Sequence, residues 1–445
     1  MDAVVPPVGS GARWTTGERR LLAEAFLAAL ILGLGVLLHF GRRGLSDLVY
    51  DEKSYSHLAI SLWQRHVYDD TYRAPGYPFF VALVYGIFGL RPVAVFALHG
   101  LLFLAQLWLT FRLALRITRH RGQALLTLWL CALWPPFYEA IPILYTEVFF
   151  AVQLGLSLWL LYQAMDRSSW RWGAAAGVAL GLAVLTKAVL LPFVGLAFLL
   201  LLGRRFRQRA AFSRGAALVL GAVLVLGPWT YHNYRITGAV VPVSTGGGFN
   251  FWQGNWPGMY EHPWKWNDFP APLDSLVAGK GEVEKDKILF DAGLGYVKEN
   301  PLRGAGLLAR KFGILWLGGL GINPAGLGDA HMLRLGTIGL PKRAVAHVPL
   351  FFLALYGWIR LSTSAKRRAR PLAVLFLLWT VSYVAIVATA RYALPLAYYE
   401  ILLASVGLWG LGERFAAMRR ASLGGSGRHE CVGGSSDAVT SPLPK

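Results

Sequence analysis

Two adjacent acids, Asp51 and Glu52, follow the first long apolar run of the chain, in the segment VYDEKSYSHL (residues 49–58). A carboxylate here could act as a general base and accept a proton from an attacking hydroxyl or amine. Short acids also begin helices, where they satisfy free backbone N–H groups. A capping box would need Glu or Gln three positions after Asp51, and Ser54 stands there instead. A catalytic acid and a simple helix cap are both open interpretations.

More charged residues stand at the ends of other apolar runs: one acid, Glu147, and three cations, Arg73, Lys187 and Arg391, the last followed by Tyr392. A carboxylate at a membrane boundary loses hydration and therefore needs partners. Cations hold phosphate or diphosphate groups. Acids and cations around one apolar-walled cavity would suit a lipid-linked phosphosugar, with its phosphate on the cations and its tail among the helices.

The composition is that of a membrane protein. Of the 445 residues, 55% are hydrophobic and 15% are charged, whereas soluble domains average about 25% charged residues. The net charge of +20 comes from basic runs between apolar runs, which is the positive-inside pattern and also attracts anionic membrane lipids. This distribution argues against a nucleic-acid partner. The basic runs are 116–121, 204–209, 365–370 and 418–420.

With the basic runs in the cytoplasm, the sequence predicts an all-α polytopic helix bundle of about ten spans in the plasma (inner) membrane, with both termini cytoplasmic. Residues 1–20 form the predicted N-terminal segment and 21–411 the transmembrane catalytic domain. Residues 412–445 form a Gly/Ser-rich tail that is predicted to be disordered. The predicted spans are 21–40, 92–115, 122–138, 147–165, 172–187, 188–203, 214–231, 343–361, 371–389 and 393–411.

Two long loops, residues 41–91 and 232–342, lie on the outer side and hold most of the acids. Three apolar stretches in these loops are too short or too amphipathic to span the membrane, namely 57–66, 75–89 and 303–318. They predict interfacial helices that lie at the outer surface. Such helices would form a small extracytoplasmic cap over the charged residues.

Six segments, in order along the chain, resemble landmarks of the GT-C glycosyltransferases: YDEKSYSHLA, YRAPGYPFFVALVYGIFG, YTEVFFA, GLAVLTK, NYRITGAVVPVSTGGGFNFWQGN and RYALPL. The resemblance is strongest to the family 39-like branch, which is related to protein O-mannosyltransferases and to the aminoarabinose transferase of lipid A. It implies a GT-C fold and an inverting transfer of a sugar from a polyprenyl-phosphate donor. The acceptor would be an extracytoplasmic lipid, glycan or protein.

The resemblance also implies roles for the acids. Asp51 matches the acid of the family's first loop, which is the expected general base, and Glu52 completes the acidic pair. Glu147 matches the family's second acid, between the third and fourth spans. All three are therefore candidate catalytic residues.

The cations are candidates for binding the donor phosphate. Lys187 matches the Arg or Lys that ends the family's LT[RK] motif, and Arg391 matches the Arg of RYxLP. Arg73 and Tyr392 complete the candidate set. Lys187 stands where Arg followed by Pro is common in the family, so it offers a point charge rather than a bidentate guanidinium.

The fifth segment supplies candidates for a sugar or acceptor subsite, Asn233, Trp252 and Asn255. The aromatic-rich stretch 249–269 is expected to cover the cavity or to stack on a sugar ring. Trp256 stands where Asn is frequent in the family, a departure expected to alter this subsite. The spacing of the acids and the histidine in this stretch is not that of a zinc site. No cofactor is predicted, and a divalent cation held by acids is an open alternative.

A transporter or flippase of a lipid-linked or anionic substrate is the alternative function. It would explain the spans and the basic residues, and Glu400 in the last span favours it because a buried intramembrane acid often has a functional role. It explains less well why most acids lie on one side of the membrane. Transporters also often contain paired repeats, and the chain shows no convincing internal repeat.

Overall fold

The structure, a computed structural model, describes residues 13–203, 208–256, 271–318 and 340–425. Within these ranges the chain consists of helices and connecting turns without a β-strand, so the predicted all-α fold is confirmed. The α-helices are α1 Thr16–Phe40, α2 Asp51–Arg65, α3 Gly76–Phe88, α4 Pro92–Thr118, α5 Arg121–Ala132, α6 Pro135–Ala140, α7 Thr146–Asp166, α8 Trp170–Thr186, α9 Leu191–Leu202, α10 Arg209–Thr237, α11 Gly247–Asn255, α12 Ala271–Val277, α13 Glu282–Glu299, α14 Pro301–Trp316, α15 Leu340–Arg360, α16 Thr363–Ala385 and α17 Leu394–Gly425.

The bundle contains several helices that are long and apolar enough to cross a membrane, so the protein is a multi-pass membrane protein. In the described ranges these are α1, α4, α7, α10, α16 and the segment Ala390–Arg420, which includes most of α17. Three shorter apolar helices accompany them, namely α3, α8 and the segment Ala188–Leu202. The exact number of spans and the side on which each terminus lies stay predictions.

The predicted third span, 122–138, is not one continuous helix. The structure ends α5 at Ala132 and begins α6 at Pro135. Proline lacks an N–H and disfavours helical backbone in the residue before it, and Trp134 accordingly has an extended backbone with ψ of 109°. The chain then passes through residues 141–145 to the start of α7.

Two predicted boundaries differ from the structure. The basic run 365–370, predicted as a loop, lies inside α16, whose Ser362 N-cap accepts a hydrogen bond from the Ala365 amide. The last helix, α17, continues past the predicted boundary at residue 411 to Gly425. Both segments are rich in Ala, Arg and other good helix formers, a preference that hydropathy alone does not register.

Glycines bring α8 and α10 into backbone contact. Gly173, Gly177 and Gly181 recur every four residues along α8 and face α10. A Cβ on Gly177 would lie only 1.9 Å from the Leu218 carbonyl oxygen. Small residues at this spacing allow close helix packing inside membranes. The contact fixes the position at which α8 ends, and Lys187 directly follows that end.

One end of the bundle carries an outer layer of shorter helices. The helices α2 and α3 pack against each other there. Beside them α11, α12 and α13 form what we call the cap, whose apolar core contains Phe249, Trp252, Leu273 and Leu289. The helix α14 packs against α13, α16 and the turn Ala390–Ala393. The predicted stretches 57–66, 75–89 and 303–318 correspond to α2, α3 and α14.

Candidate active site

Asp51 is the first residue of α2, and its carboxylate pairs with two arginines. Oδ2 accepts a hydrogen bond from Arg391 Nη2 at 2.9 Å, and Oδ1 accepts one from Arg73 Nη2 at 3.3 Å. The N-cap position belongs to Tyr50, which has a φ of 49° and makes no side-chain capping bond. Positive φ is uncommon outside glycine. The structure therefore gives Asp51 a role as an ion-pair partner rather than as a helix cap.

The surroundings of Asp51 favour its ionised form. Burial raises the pKa of the Asp51 carboxyl, but Arg391 and Arg73 together outweigh this effect, so the pKa lies below its ordinary value. Arg73 also lies near Asp70, with Nη1 3.8 Å from Oδ2. A carboxylate held by two guanidinium groups is a weak base. Any anion that attracted these arginines would make Asp51 more basic.

Arg391 and Tyr392 come from the turn Ala390–Ala393, which joins α16 to α17. The indole Nε1 of Trp379 donates to the Tyr392 carbonyl at 2.9 Å and fixes this turn against α16. The Arg391 guanidinium lies 4.6 Å from the centre of the Tyr145 ring and 5.3 Å from the centre of the Tyr392 ring. These are cation–π distances. The rings hold the cation without neutralising it, and its anionic partner is the Asp51 carboxylate.

Lys187 and Glu147 form a second ion pair next to the first. Lys187 Nζ lies 3.3 Å from Glu147 Oε1, and both side chains are at most 10% exposed. The same ammonium lies 5.2 Å from the centre of the Tyr392 ring, which thus contacts both Lys187 and Arg391. The structure therefore brings together the predicted residues Asp51, Glu147, Arg73, Lys187, Arg391 and Tyr392.

A close approach at Gly76 explains how the first loop reaches the end of α8. A Cβ at Gly76 would lie 2.5 Å from Thr186 Oγ1 and 2.9 Å from the Leu185 carbonyl oxygen. Only glycine fits at this contact. It sets the segment that carries Arg73 beside Lys187, which gives the RAPGYP motif a steric explanation.

Glu52 lies behind this cluster and is completely buried, with 0% of its side chain exposed. Its carboxylate accepts hydrogen bonds from Arg43 Nη2 at 2.7 Å and Nη1 at 3.2 Å. It also accepts from the backbone amides of Leu144 at 3.0 Å and Val49 at 3.2 Å. These bonds tie the start of α2 to the segment that precedes α7. The contacts of Glu52 therefore join the two elements that carry Asp51 and Glu147.

An open cleft with a volume of about 780 Å³ leads to Asp51 and Arg73, a size within the usual range for small-molecule sites. The segment 69–73 forms one wall, and the cap helices α12 and α13 form the other. Apart from Asp51 and Arg73, the charged residues of the lining are mostly acidic: Asp69, Asp70, Asp274, Glu282, Lys285 and Asp286.

The three predicted subsite residues are buried and are not among the residues that line this cleft. Asn233 is buried, and its Nδ2 donates to the carbonyls of Val241 and Val243 at 3.0 and 3.1 Å. Trp252 is 1% exposed in the core of the cap. Asn255 donates to the Ala385 carbonyl at 3.0 Å. These contacts organise the walls, and direct binding of sugar or acceptor by the three residues stays a prediction.

No group of three or more His, Cys, Asp or Glu side chains within the described ranges is arranged to hold a metal ion. Most of the aromatic-rich stretch 249–269, including its later acids and histidine, lies outside these ranges.

Three further residues contact or support the site and are not among the predicted site residues: Arg43, Tyr145 and Lys311. Arg43 belongs to a basic pair, Arg42 and Arg43, in a loop that is predicted to be external, and this departure from the positive-inside pattern is the signal that marks it. Tyr145 directly precedes Thr146 and Glu147 within a quoted motif, but aromatic residues at membrane boundaries are common. The contacts of Lys311 join segments that are distant in sequence, and no local pattern shows them.

The fold matches that of archaeal oligosaccharyltransferases. The apo oligosaccharyltransferase of Archaeoglobus fulgidus superposes with a TM-score of 0.53 at 14% sequence identity, over 91% of this chain and 52% of that one. The oligosaccharyltransferase AglB of the same organism, in complex with an inhibitory peptide and a dolichol-phosphate, gives a TM-score of 0.52 at 13% identity, over 96% and 53%. The chain thus spans about half the length of these proteins.

This helix bundle, with charged residues at one end, therefore has the GT-C-like fold that the sequence predicts. More narrowly, residues 72–229 match the family described as dolichyl-phosphate-mannose-protein mannosyltransferase. That region includes Arg73, Glu147 and Lys187 of the site. No curated protein sequence matches the chain.

Proposed function

We propose that this protein is an inverting glycosyltransferase that moves a sugar from a polyprenyl-phosphate donor to an extracytoplasmic acceptor, with Asp51 as the general base. The observation that carries the proposal is the placement of Asp51 between Arg73 and Arg391, with Asp51 and Arg73 in the lining of the cleft. The proposed base, Asp51, thus forms hydrogen bonds with both arginines that are proposed to bind the phosphate. The family that residues 72–229 match has a lipid-phosphate sugar, dolichyl-phosphate-mannose, in its description, and this match supports the same class of donor.

The donor phosphate would bind to Arg73 and Arg391, with Lys187 and Tyr392 beside it. A guanidinium forms two parallel hydrogen bonds to a phosphate, and Lys187 adds a point charge. Dolichol-phosphate is bound by one of the archaeal proteins that share this fold. Cations fixed in advance would also stabilise the negative charge that grows on the leaving phosphate.

Donor binding would then activate the base. Both arginines pair with Asp51, which lowers the pKa of its carboxyl despite the opposing effect of burial. A phosphate that takes over these arginines leaves Asp51 with weaker stabilisation and greater basicity. Asp51 would therefore become an effective base only after the donor has bound, and it would abstract few protons without the donor.

In the chemical step, the acceptor oxygen or nitrogen attacks the anomeric carbon from the side opposite the phosphate. The bond from that carbon to the phosphate oxygen breaks, and its electron pair stays on the leaving polyprenyl phosphate. The acceptor proton moves to Asp51. One displacement inverts the anomeric configuration, whereas retention through a covalent intermediate would need a second carboxyl as nucleophile.

The other two acids have supporting roles in this proposal. Glu147 holds the Lys187 ammonium in place through their 3.3 Å contact. Glu52 fixes the start of α2 through its bonds to Arg43 and to the backbone. Glu52 is completely buried, so we assign it to positioning Asp51 rather than to contact with substrate.

The test is the release of polyprenyl phosphate from a polyprenyl-phosphate sugar by the purified protein, with a panel of lipid, glycan and peptide acceptors. Asp51→Asn is expected to lower turnover by about 10² to 10⁴, the usual contribution of a general base, and to change donor affinity much less. Asp291→Asn, an exposed site on α13, is the matched control. Wild-type turnover by Asp51→Asn would refute the assignment.

The alternative, a transporter or flippase, has one observation in its favour. Glu400 in α17 is 3% exposed, and within the described ranges neither carboxylate oxygen has a hydrogen-bond partner. Such an acid could bind a proton or a cation during transport. Movement of a lipid-linked sugar across the membrane of vesicles that contain the protein, without release of polyprenyl phosphate, would favour the transporter or flippase function. If Glu400→Gln abolished that movement, Glu400 would be its coupling residue.

A further inference from the structure

Lys311, in the middle of α14, has a buried ammonium bonded to three oxygens. The residue is 0% exposed, and Nζ donates to Asn255 Oδ1 at 3.1 Å, Ala385 O at 3.2 Å and Ile386 O at 3.0 Å. An ammonium has three donors, so all of them are used. Within the described ranges these partners are all uncharged. A buried cation without a carboxylate partner is costly, which indicates a role that an apolar residue would not fill.

The three acceptors lie where the cap meets the end of α16. Ala385 is the last residue of α16 and Ile386 is its C-cap. Carbonyls at a helix C-terminus lack partners within the helix and attract cations. The Asn255 side chain, at the end of α11, donates to the same Ala385 carbonyl at 3.0 Å. We call Lys311, Asn255, Ala385 and Ile386 the cap junction.

The cap junction is tightly packed. A Cβ on Gly254 would lie 1.8 Å from the Ile386 carbonyl oxygen, so α11 touches this stretch of backbone directly. The following residues, Val387 and Ala388, are 4% and 3% exposed. The chain then enters the turn Ala390–Ala393, against which α14 also packs. The path from the carbonyls that bind the Lys311 ammonium to Arg391 is therefore short, and it is packed against α11 and α14.

We propose that Lys311 is a positioning residue for the transfer site. It fixes the end of α16 and thereby sets the direction in which the Arg391 guanidinium reaches Asp51 and the donor phosphate. This inference rests on the proposed function. It also couples the cap to the site, because Asn255 belongs to α11 and the cap forms one wall of the cleft.

The experiment measures the affinity of the purified full-length protein for polyprenyl phosphate, together with kcat and KM for the donor. Lys311→Met keeps the length of the side chain and removes its donors. It is expected to weaken polyprenyl-phosphate binding by about tenfold, which is the effect of losing one charge-assisted hydrogen bond between a displaced Arg391 and the phosphate. Lys311→Arg keeps charge and donors and should restore most of the affinity. Lys287→Met, on the exposed face of α13, is the matched control and should bind as wild type.

A double-mutant cycle with Arg391→Gln tests whether Lys311 acts through Arg391. If it does, Lys311→Met causes little further loss of polyprenyl-phosphate affinity once Arg391 is replaced, because the effects of substitutions at coupled residues are not additive. Fully additive losses would overturn the proposal, as would wild-type binding by Lys311→Met. If Lys311→Met does not fold, Asn255→Ala removes another bond of the cap junction and takes its place in the cycle.

These outcomes separate the inference from the proposed function. If Arg391→Gln alone leaves polyprenyl-phosphate binding unchanged, the phosphate site itself is wrong and the inference fails with it. If Arg391→Gln weakens binding and neither Lys311→Met nor Asn255→Ala does, only the inference about Lys311 is refuted.

Discussion

Replacement of Arg391 by Gln separates the two roles that this side chain has in the account. Arg391 holds Asp51 at 2.9 Å and is expected to hold the donor phosphate. Glutamine keeps a hydrogen-bond donor and removes the charge. A hydrogen bond to a charged group contributes about 1.5 to 3 kcal/mol, which corresponds to about tenfold to a hundredfold in affinity. The side chains of Arg391 and Asp51 are only 13% and 16% exposed, so solvent screening reduces this value little.

The same substitution is expected to change the pH dependence in a defined direction. Arg391 and Arg73 hold the pKa of the Asp51 carboxyl below its ordinary value against the effect of burial. The base works only when deprotonated, so activity is lost as the pH falls through this pKa. Without Arg391 the pKa rises, and the acidic limb of the kcat/KM profile moves to higher pH.

The assay follows polyprenyl-phosphate release across a pH series, with binding of polyprenyl phosphate measured separately. Arg391→Lys is the matched variant, because it restores a charge without the bidentate geometry and should move the acidic limb less. An unchanged acidic limb in Arg391→Gln, with wild-type phosphate affinity, would refute both roles. A weaker affinity with an unchanged limb would refute only the control of Asp51 by Arg391.

Two further predictions concern stability and are measured by thermal unfolding of the purified protein in detergent. Glu52→Gln breaks a buried ion pair with Arg43 and should lower the free energy of unfolding by roughly 3 to 5 kcal/mol. The control, Glu24→Gln in an exposed pair on α1, should change the free energy of unfolding by less than about 1 kcal/mol. Equal effects of the two substitutions would contradict the positioning role of Glu52. Gly177→Ala places a Cβ 1.9 Å from the Leu218 oxygen and should cost roughly 1 to 3 kcal/mol through overpacking. Gly195→Ala meets no atom within 4 Å and should be neutral or stabilising; a neutral Gly177→Ala would show that α8 and α10 are not in backbone contact.

Much of the site could be predicted because desolvated charges at membrane boundaries are rare. Asp51, Arg73, Lys187 and Arg391 each stand at the end of an apolar run, and their motifs occur in the order of a known superfamily. The sequence did not show that Asp51 pairs with both Arg73 and Arg391, because these contacts join residues far apart in the chain.

Other features could not be predicted because they depend on tertiary contacts. Glu52 and Asp51 are neighbours in sequence, yet one is enclosed by Arg43 and backbone amides while the other faces the cleft. A pair of acids on one helix turn gives no sign of which one is enclosed. The cap junction of Lys311 likewise exists only after α11, α14 and α16 have come together. The helix break before Pro135 is different, because it is local and the proline itself marks its position in the sequence.

A density map of the protein with a non-hydrolysable polyprenyl-phosphate sugar bound would show which side chains contact the phosphate and which acid faces the reacting carbon. We predict that the Arg73 and Arg391 guanidinium groups contact the phosphate, and that the Asp51 carboxylate has left them and faces the anomeric carbon across the space for an acceptor. A phosphate bound elsewhere, with Asp51 still paired to both arginines, would contradict it.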